Sequence, residues 1–346
     1  MVVVAPDHRD GSCPISFITE PETENLKSVD YISLPHKPLP EVEEGRNNQL
    51  RTRCWELDKI HDAILKLDAG KNVTNLQASK GPSRLPIFEG RLDVKRPGKI
   101  SWAGHSFGAT TMVQFLKSVY HNGSVLFEDP SSELKQQITP ASPISLLDLW
   151  AMPLSGSSTS QLWDQPLPSY CGTPSSVPLA ILSKGFYKWS TNFEYTLKTI
   201  CPPASQATEQ PHIFYPISSA HLSQSDFGLL YPWLTRKVMK ADEPERTLRL
   251  NIRAILEQLR RSGIEVESTS ALDLEIEQDQ EVDLPADGWP LGQDHKILRA
   301  DGKVRGWVAV DVDHERERLG LLSKSVAEKE PLSPGDAVMR NEVMQP

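Results

Sequence analysis

The pentapeptide Gly104-His105-Ser106-Phe107-Gly108 joins a short apolar run to an amphipathic stretch in KISWAGHSFGATTMVQFLKSVY, and this junction restricts the fold of the 346-residue chain more than any other segment. Ile100 to Ala103 has the length and apolarity of a buried strand. Beyond Phe107, the residues Ala109, Met112, Val113, Leu116, Val119 and Tyr120 fall on one helical face. Ser106 therefore stands at a strand-to-helix turn. Such a turn is tight, so Gly104 and Gly108, two before and two after the serine, are expected to avoid Cβ clashes and leave the hydroxyl exposed above the sheet. Helix entry also points backbone N–H groups, that of Phe107 first, toward any oxyanion forming beside Ser106. A glycine-flanked turn in some other α/β fold is the bland alternative.

A nucleophilic serine needs an acid and a base further along the chain. In SPISLLDLWAMPL the strand Ile144 to Leu147 ends at Asp148, and in PHIFYPISSAHLSQSDF a strand from Ile213 to Ile217 leads into a polar loop carrying His221. That loop would place the imidazole at the carboxyl edge of a parallel sheet, where open α/β folds hold ligands. Of the other histidines, His8 lies beside Arg9 and Asp10, His61 is inside a helix, His105 is in the elbow, and His295 and His314 lie in a charged tail. On the residues alone, Asp148 reads equally well as the cap of a following helix.

These segments, together with GHSFGA, resemble the platelet-activating factor acetylhydrolase family, the calcium-independent group VII phospholipases A2, and most of all its fungal members. VVVAPDHRDGS and NNQLRTRCWELDKIHDAILKLDAGK are also similar to family segments, and the likeness covers residues 1 to about 262. It implies an α/β-hydrolase fold, a mostly parallel sheet with flanking helices, with Ser106 as nucleophile, His221 as base and Asp148 as its orienting acid. It also implies a phospholipid substrate whose short sn-2 acyl ester is cleaved, with no metal or organic cofactor. The family's second oxyanion donor comes from an H-G-x-G-like loop, and no such segment precedes the elbow. Met1 to Val4 resembles the fourth strand of the fold, so the resemblance implies an N-terminally incomplete domain. Two alternatives stay open: a general short-chain carboxylesterase or lipase of the same fold, and a noncatalytic truncated homologue.

Composition narrows the partners. A net charge of −9 and the lack of a basic stripe with interleaved aromatics argue against nucleic acid. No apolar run is long enough for a signal-peptide core or a membrane span, so any membrane contact is expected at the surface. Cys13, Cys54, Cys171 and Cys201 have no metal-finger spacing and read as free thiols of a cytoplasmic protein, although secretion stays open if the true N-terminus lies upstream. Asn72-Val73-Thr74 and Asn122-Gly123-Ser124 match the glycosylation sequon, a motif short enough to occur by chance.

The expected order is a strand at Val2 to Ala5, a Pro- and Glu-bearing loop, and a helix near Asn48 to Leu67 with Leu50, Cys54, Leu57, Ile60 and Ile64 on one face. The elbow unit comes after a mostly irregular stretch, 70 to 97. Residues 121 to 143 form an insertion that would cover the site. Loop 151 to 177 carries Met152, Trp163 and Tyr170, for lipid contact or for packing. Leu179 to Leu182 reads as a strand and Phe193 to Ile200 as a helix. Glu245 to Arg261 reads as an amphipathic helix turning Leu248, Ile252, Ile255, Leu256 and Leu259 inward, with Gly263 as its stop. The catalytic domain is thus drawn as 1–263, and 264–346 as an acidic, largely irregular extension. Within the extension ILRADGKVRGWVAV is expected to form a hairpin on Asp301-Gly302. Arg9-Asp10 matches a kinase catalytic loop in two letters only and is discarded for want of a glycine-rich loop or a D-F-G.

Overall fold

The apolar runs assigned to strands assemble side by side. In the computed structural model, which describes residues 1–20, 23, 25–37, 39–74, 84–121, 126–127, 129–202, 209–267, 294–301 and 304–321, the chain begins with an antiparallel hairpin, β1 (Ile15–Thr19) and β2 (Leu26–Asp30). The 29-residue helix α1 (Pro40–Asp68) is next. Then come β3 (Trp102–His105), α2 (Phe107–Tyr120), α3 (Ser132–Gln137), β4 (Ile144–Leu147), β5 (Leu179–Ile181), α4 (Lys184–Lys188), α5 (Ser190–Ile200) and β6 (His212–Pro216). The last described elements are α6 (Phe227–Leu230), α7 (Pro232–Met239), α8 (Pro244–Arg261), β7 (Trp307–Ala309) and α9 (Val312–Arg318).

The main sheet has the order β3-β4-β5-β6-β7. Its first four strands are parallel, in registers that set Trp102 opposite Ile144, Ser145 opposite Leu179, and Leu179 opposite His212. Parallel strands are covered on both faces and so read as continuous apolar runs. Leu179, Ala180 and Ile181 are all buried. Alternation divides them between two cores: Ala180 joins Ile144, Leu146, Ile213, Phe115 and Leu116, whereas Leu179 and Ile181 join Phe214, Leu250, Ala254, Ile297 and Trp307. One face thus belongs to α2 and the other to α8.

Several sequence expectations are corrected. Val2 to Ala5 forms no strand; Val2, Val3 and Val4 are at least half exposed and pair with nothing among the described residues. The stretch read as a loop before α1 contains the β1–β2 hairpin, whose signal was the β-branched and aromatic run ISFIT. The described residues of the insertion 121–143 pack into the domain instead of over the site: Leu126, Phe127, Leu134 and Ile138 are buried, and Ser131 N–H bonds Asp58 on α1. The buried face of α8 is also shifted from the expected one. Ile252 is 55% exposed, while Leu250, Ala254 and Gln258 turn inward. A glutamine is tolerated there because its side chain accepts from Ser145 Oγ and donates to the carbonyls of Ile144 and Val177.

The segment 297–310 is not a hairpin. Asp294–Leu298 is a 3-10 turn, and Trp307–Ala309 crosses to pair antiparallel with β6. A short run with one apolar face finds its partner across the sheet, and Trp307 stacks on Phe214 at 5.2 Å. Beyond it Val312 and Arg316 are buried, the latter donating to the Pro202 carbonyl. A domain boundary at 263 would therefore cut through the sheet, which residues 294–321 complete. The acidic run 265–286 lies outside the described residues from 268 onward, as does the charged tail from 322.

Candidate active site

The elbow sits where β3 hands over to α2. Ser106 takes φ 56 and ψ −121, a backbone region costly for any residue with a Cβ. Its N–H is held by the Leu147 carbonyl at 2.9 Å, and its own carbonyl accepts from Ala109 N–H. The two glycines are not equivalent. A Cβ on Gly104 would meet the Gly108 carbonyl oxygen at 2.4 Å, whereas one on Gly108 would meet nothing within 4 Å. The close approach that demands glycine is thus at Gly104. The N–H groups of Phe107 and Gly108, at the start of the 14-residue α2, donate to no protein acceptor among the described residues. They are the free donors that every helix N-terminus presents.

Asp148 comes directly after β4 and is fully buried, with φ 44, a conformation Asp adopts more readily than most side chains. Its Oδ1 accepts from Ser183 N–H after β5, and its Oδ2 lies 2.9 Å from His221 Nδ1. His221 opens a 3-10 turn after β6, in a loop fixed by Ser219 Oγ donating to the Pro216 carbonyl and by Ala220 N–H donating to Ser223 Oγ. The imidazole is gripped on both faces. Phe186 stacks on it at 4.6 Å and 11°, and His105 lies against it at 4.6 Å. Burial and the neighbouring His221 hold the His105 pKa down to about 4, so this ring stays neutral beside any imidazolium formed on His221.

Ser106, Asp148 and His221 thus come together at the carboxyl ends of β3, β4 and β6. No hydrogen bond joins Ser106 Oγ to the His221 ring, a looseness common before substrate is bound. Donor atoms of His105, Asp148 and His221 lie within 4.8 Å of one another.

The floor of the site comes from residues that carry no motif. Asp10 is buried against Arg53 Nε, and Arg53 Nη2 donates to Ser12 Oγ; the guanidinium lies 4.4 Å from the Phe107 ring centroid. The pair discarded as a kinase motif is therefore a clamp: Asp10 orients Arg53 beneath the elbow. Trp150, two residues past Asp148, sets its ring 5.8 Å from Phe107 and its carbonyl on Thr110 Oγ1. Of the three loop residues singled out in the sequence, Met152 lines a cavity of about 250 Å³ beside Trp150, whereas Trp163 packs on Tyr195 and Tyr170 packs against the core. The four cysteines form no disulfide.

The sequence is similar to known proteins over most of its length. A Schizosaccharomyces pombe protein named "Putative phospholipase A2" is 26% identical over 297 residues, 77% of this chain and 62% of that protein. Platelet-activating factor acetylhydrolases of Bos taurus and Gallus gallus are 30% identical over 125 residues and 25% over 175. These matches cover 25% and 36% of the two animal proteins, so the chain spans less than two thirds of each relative's length. Residues 1–282 match the family described as platelet-activating factor acetylhydrolase, isoform II. With a mostly parallel sheet, flanking helices and a serine on the turn after β3, the chain has the α/β-hydrolase fold and belongs to that family.

Proposed function

We propose that this protein is a calcium-independent serine esterase that removes the acetyl or short acyl group from the sn-2 position of platelet-activating factor and related phospholipids. The observation that carries the reading is the hydrogen bond from His221 Nδ1 to the buried Asp148, at the sheet edge where Ser106 occupies its strained turn. In this reading His221 Nε2 takes the Ser106 proton as Oγ attacks the ester carbonyl, and Asp148 fixes the tautomer and stabilises the imidazolium. The imidazolium then protonates the departing lysophospholipid alkoxide, leaving an acyl-enzyme. Water, deprotonated by His221, cleaves that ester and releases acetate and free Ser106. Phe107 N–H supplies one oxyanion donor; loss of such a donor costs on the order of 3 kcal/mol.

A membrane surface is the proposed source of substrate. Leu230, Tyr231 and Trp233 are 64%, 55% and 69% exposed on α6 and α7, a few residues beyond His221. A cluster of large apolar side chains in water marks a contact surface.

The test is fluorophosphonate labelling of the purified chain, followed by hydrolysis of acetyl, butyroyl and long-chain phospholipids without calcium. Labelling is expected in the wild type, absent in Ser106→Ala and His221→Ala, and reduced about 10⁴-fold in rate in Asp148→Asn. Equal rates on long-chain lipids or on simple esters would favour a general lipase or carboxylesterase. A folded chain that takes no label would be a noncatalytic homologue.

A further inference from the structure

The cavity beside the elbow is linked to the proposed catalytic residues through two of its lining side chains, Trp150 and Trp189. Trp150 lines it, and the backbone N–H of Trp150 donates to the Ser106 carbonyl at 3.5 Å. Trp189, also in the wall, packs 5.7 Å from Phe186, the ring stacked on His221. A molecule seated in the cavity would therefore lie alongside its own reacting ester.

The lining is chemically selective. His36, Lys37 and Arg46 all contribute to it. The Arg46 guanidinium carbon lies 5.4 Å and 5.0 Å from the Phe107 and Trp150 centroids, over both members of that edge-to-face pair. Among the described residues only two of its five N–H groups find protein acceptors, Nη1 on Gln49 Oε1 at 2.8 Å and Nη2 on the Leu34 carbonyl at 3.3 Å. Among the described residues Arg46 forms no ion pair with a carboxylate. The carboxylate lining the same cavity, Glu43, is committed elsewhere, its Oε1 accepting from Ser157 N–H and Ser157 Oγ, each at 2.6 Å. A partly buried guanidinium with no carboxylate in contact is costly, and burial together with the nearby Arg53 pushes its pKa downward against the pull of Tyr31 and Asp10. Such a group is retained where a ligand supplies the negative charge. His36, held neutral by burial and by Arg46, adds a hydrogen-bonding ring without a second charge and meets Trp150 edge-on at 5.4 Å.

We propose that this cavity is the phosphate subsite of the substrate, with Arg46 as the receptor for the glycerophosphodiester and Lys37 reinforcing the field at its mouth. The proposal rests on the ester-hydrolase reading above for the identity of the ligand. Guanidinium suits a phosphate because its planar fork presents two parallel donors. A glycerophospholipid carries that phosphate only a few bonds from its sn-2 carbonyl, which matches a cavity separated from Ser106 by Trp150 and Phe107. Arg46 would thus select phosphodiester esters over neutral ones.

The test has a binding arm that needs no turnover. In Ser106→Ala protein, glycerophosphocholine is titrated by calorimetry at low and moderate salt, with choline, glycerol and inorganic phosphate as comparisons. Arg46→Met, which keeps apolar bulk against Phe107 and Trp150, and Arg46→Lys, which keeps the charge, are titrated in parallel, with thermal melts to confirm folding. The diester is expected to bind more weakly in salt and at least about tenfold more weakly to Arg46→Met, with Arg46→Lys between. Equal affinity in Arg46→Met, binding of choline as tight as of the diester, or a preference for inorganic phosphate would overturn the assignment. In the kinetic arm, the ratio of kcat/KM for the acetylated phospholipid to that for p-nitrophenyl acetate should fall at least about tenfold in Arg46→Met. Turnover of both esters with an unmoved ratio sinks the subsite alone. Turnover of neither, with Arg46-dependent binding intact, sinks the hydrolase reading and leaves the subsite standing.

Discussion

Gly104 and Gly108 flank Ser106 symmetrically in sequence, yet only Gly104 lies against backbone, its missing Cβ replaced by the Gly108 carbonyl. Gly104→Ala is therefore expected to cost about 3 kcal/mol or more and to abolish fluorophosphonate labelling, because neither backbone can yield. Gly108→Ala should leave the melting temperature unchanged or raise it, alanine being favoured within a helix by up to about 1 kcal/mol. Equal damage from both substitutions would show that the elbow needs glycine for a reason other than the contact at Gly104. Single residues are also where the sequence was most and least informative. Ser106 and His221 each come after an apolar run that could be read locally, and their order along the chain did the rest. Arg46, Arg53, Trp150 and Phe186 carry no such mark, because their importance comes from elements far apart in sequence that converge only in the folded chain.

Among the elements, α2 departs furthest from its pattern. Its periodicity suggests one buried face and one wet one, but every residue from Ala109 to Val119 is buried, covered on the outer side by α1 and the 3-10 turns at Met152–Ser155, Ser160–Leu162 and Pro168–Tyr170. The polar side chains of that outer face are consequently inside the protein, each with a task. Thr110 bonds the Trp150 carbonyl, Thr111 meets Arg53, and Lys117 donates to the Leu162 carbonyl. Desolvation lowers the Lys117 pKa from 10.5 to about 7. Between those values the unfolded chain binds more protons than the folded one, so this residue makes stability rise with pH from about 7 toward 10.5, and its full penalty applies below 7. Lys117→Met should accordingly raise stability at pH 6 by about 2 kcal/mol and by progressively less toward pH 10, as read from denaturant midpoints across pH. A gain independent of pH would refute the buried-lysine account. The inward face of α8 escaped the pattern for a similar reason: Gln258 reads as a surface residue until Ser145, Ile144 and Val177 are seen to satisfy it.

For the molecule as a whole, the parallel half of the sheet was legible because each strand is a short buried run beside a turn or helix signal. The fifth strand was not, since Trp307–Ala309 gains its meaning only by pairing with β6 across a long intervening segment. A chain ending at Gly263 keeps every proposed catalytic residue but loses β7 and α9, leaving Phe214 without Trp307 and the β6 edge unpaired. Such a chain is expected to aggregate or to melt at least about 10 °C lower, and a soluble, equally stable 1–263 product would overturn the role given to the final strand. The membrane contact proposed for α6 and α7 belongs to the same scale: replacing Leu230 and Trp233 by alanine should reduce sedimentation with phosphatidylcholine vesicles while leaving turnover of soluble esters intact. The position of β7 in the chain also sets a timetable for synthesis. Every residue of the candidate site precedes α8 in the chain, but the strand that closes the sheet comes after β6 by roughly ninety residues, on the order of 5–20 s of translation. During that interval the nascent chain carries a sheet whose β6 edge is open, and its yield in a cell should depend on how well chaperones shield that edge until the closing strand arrives.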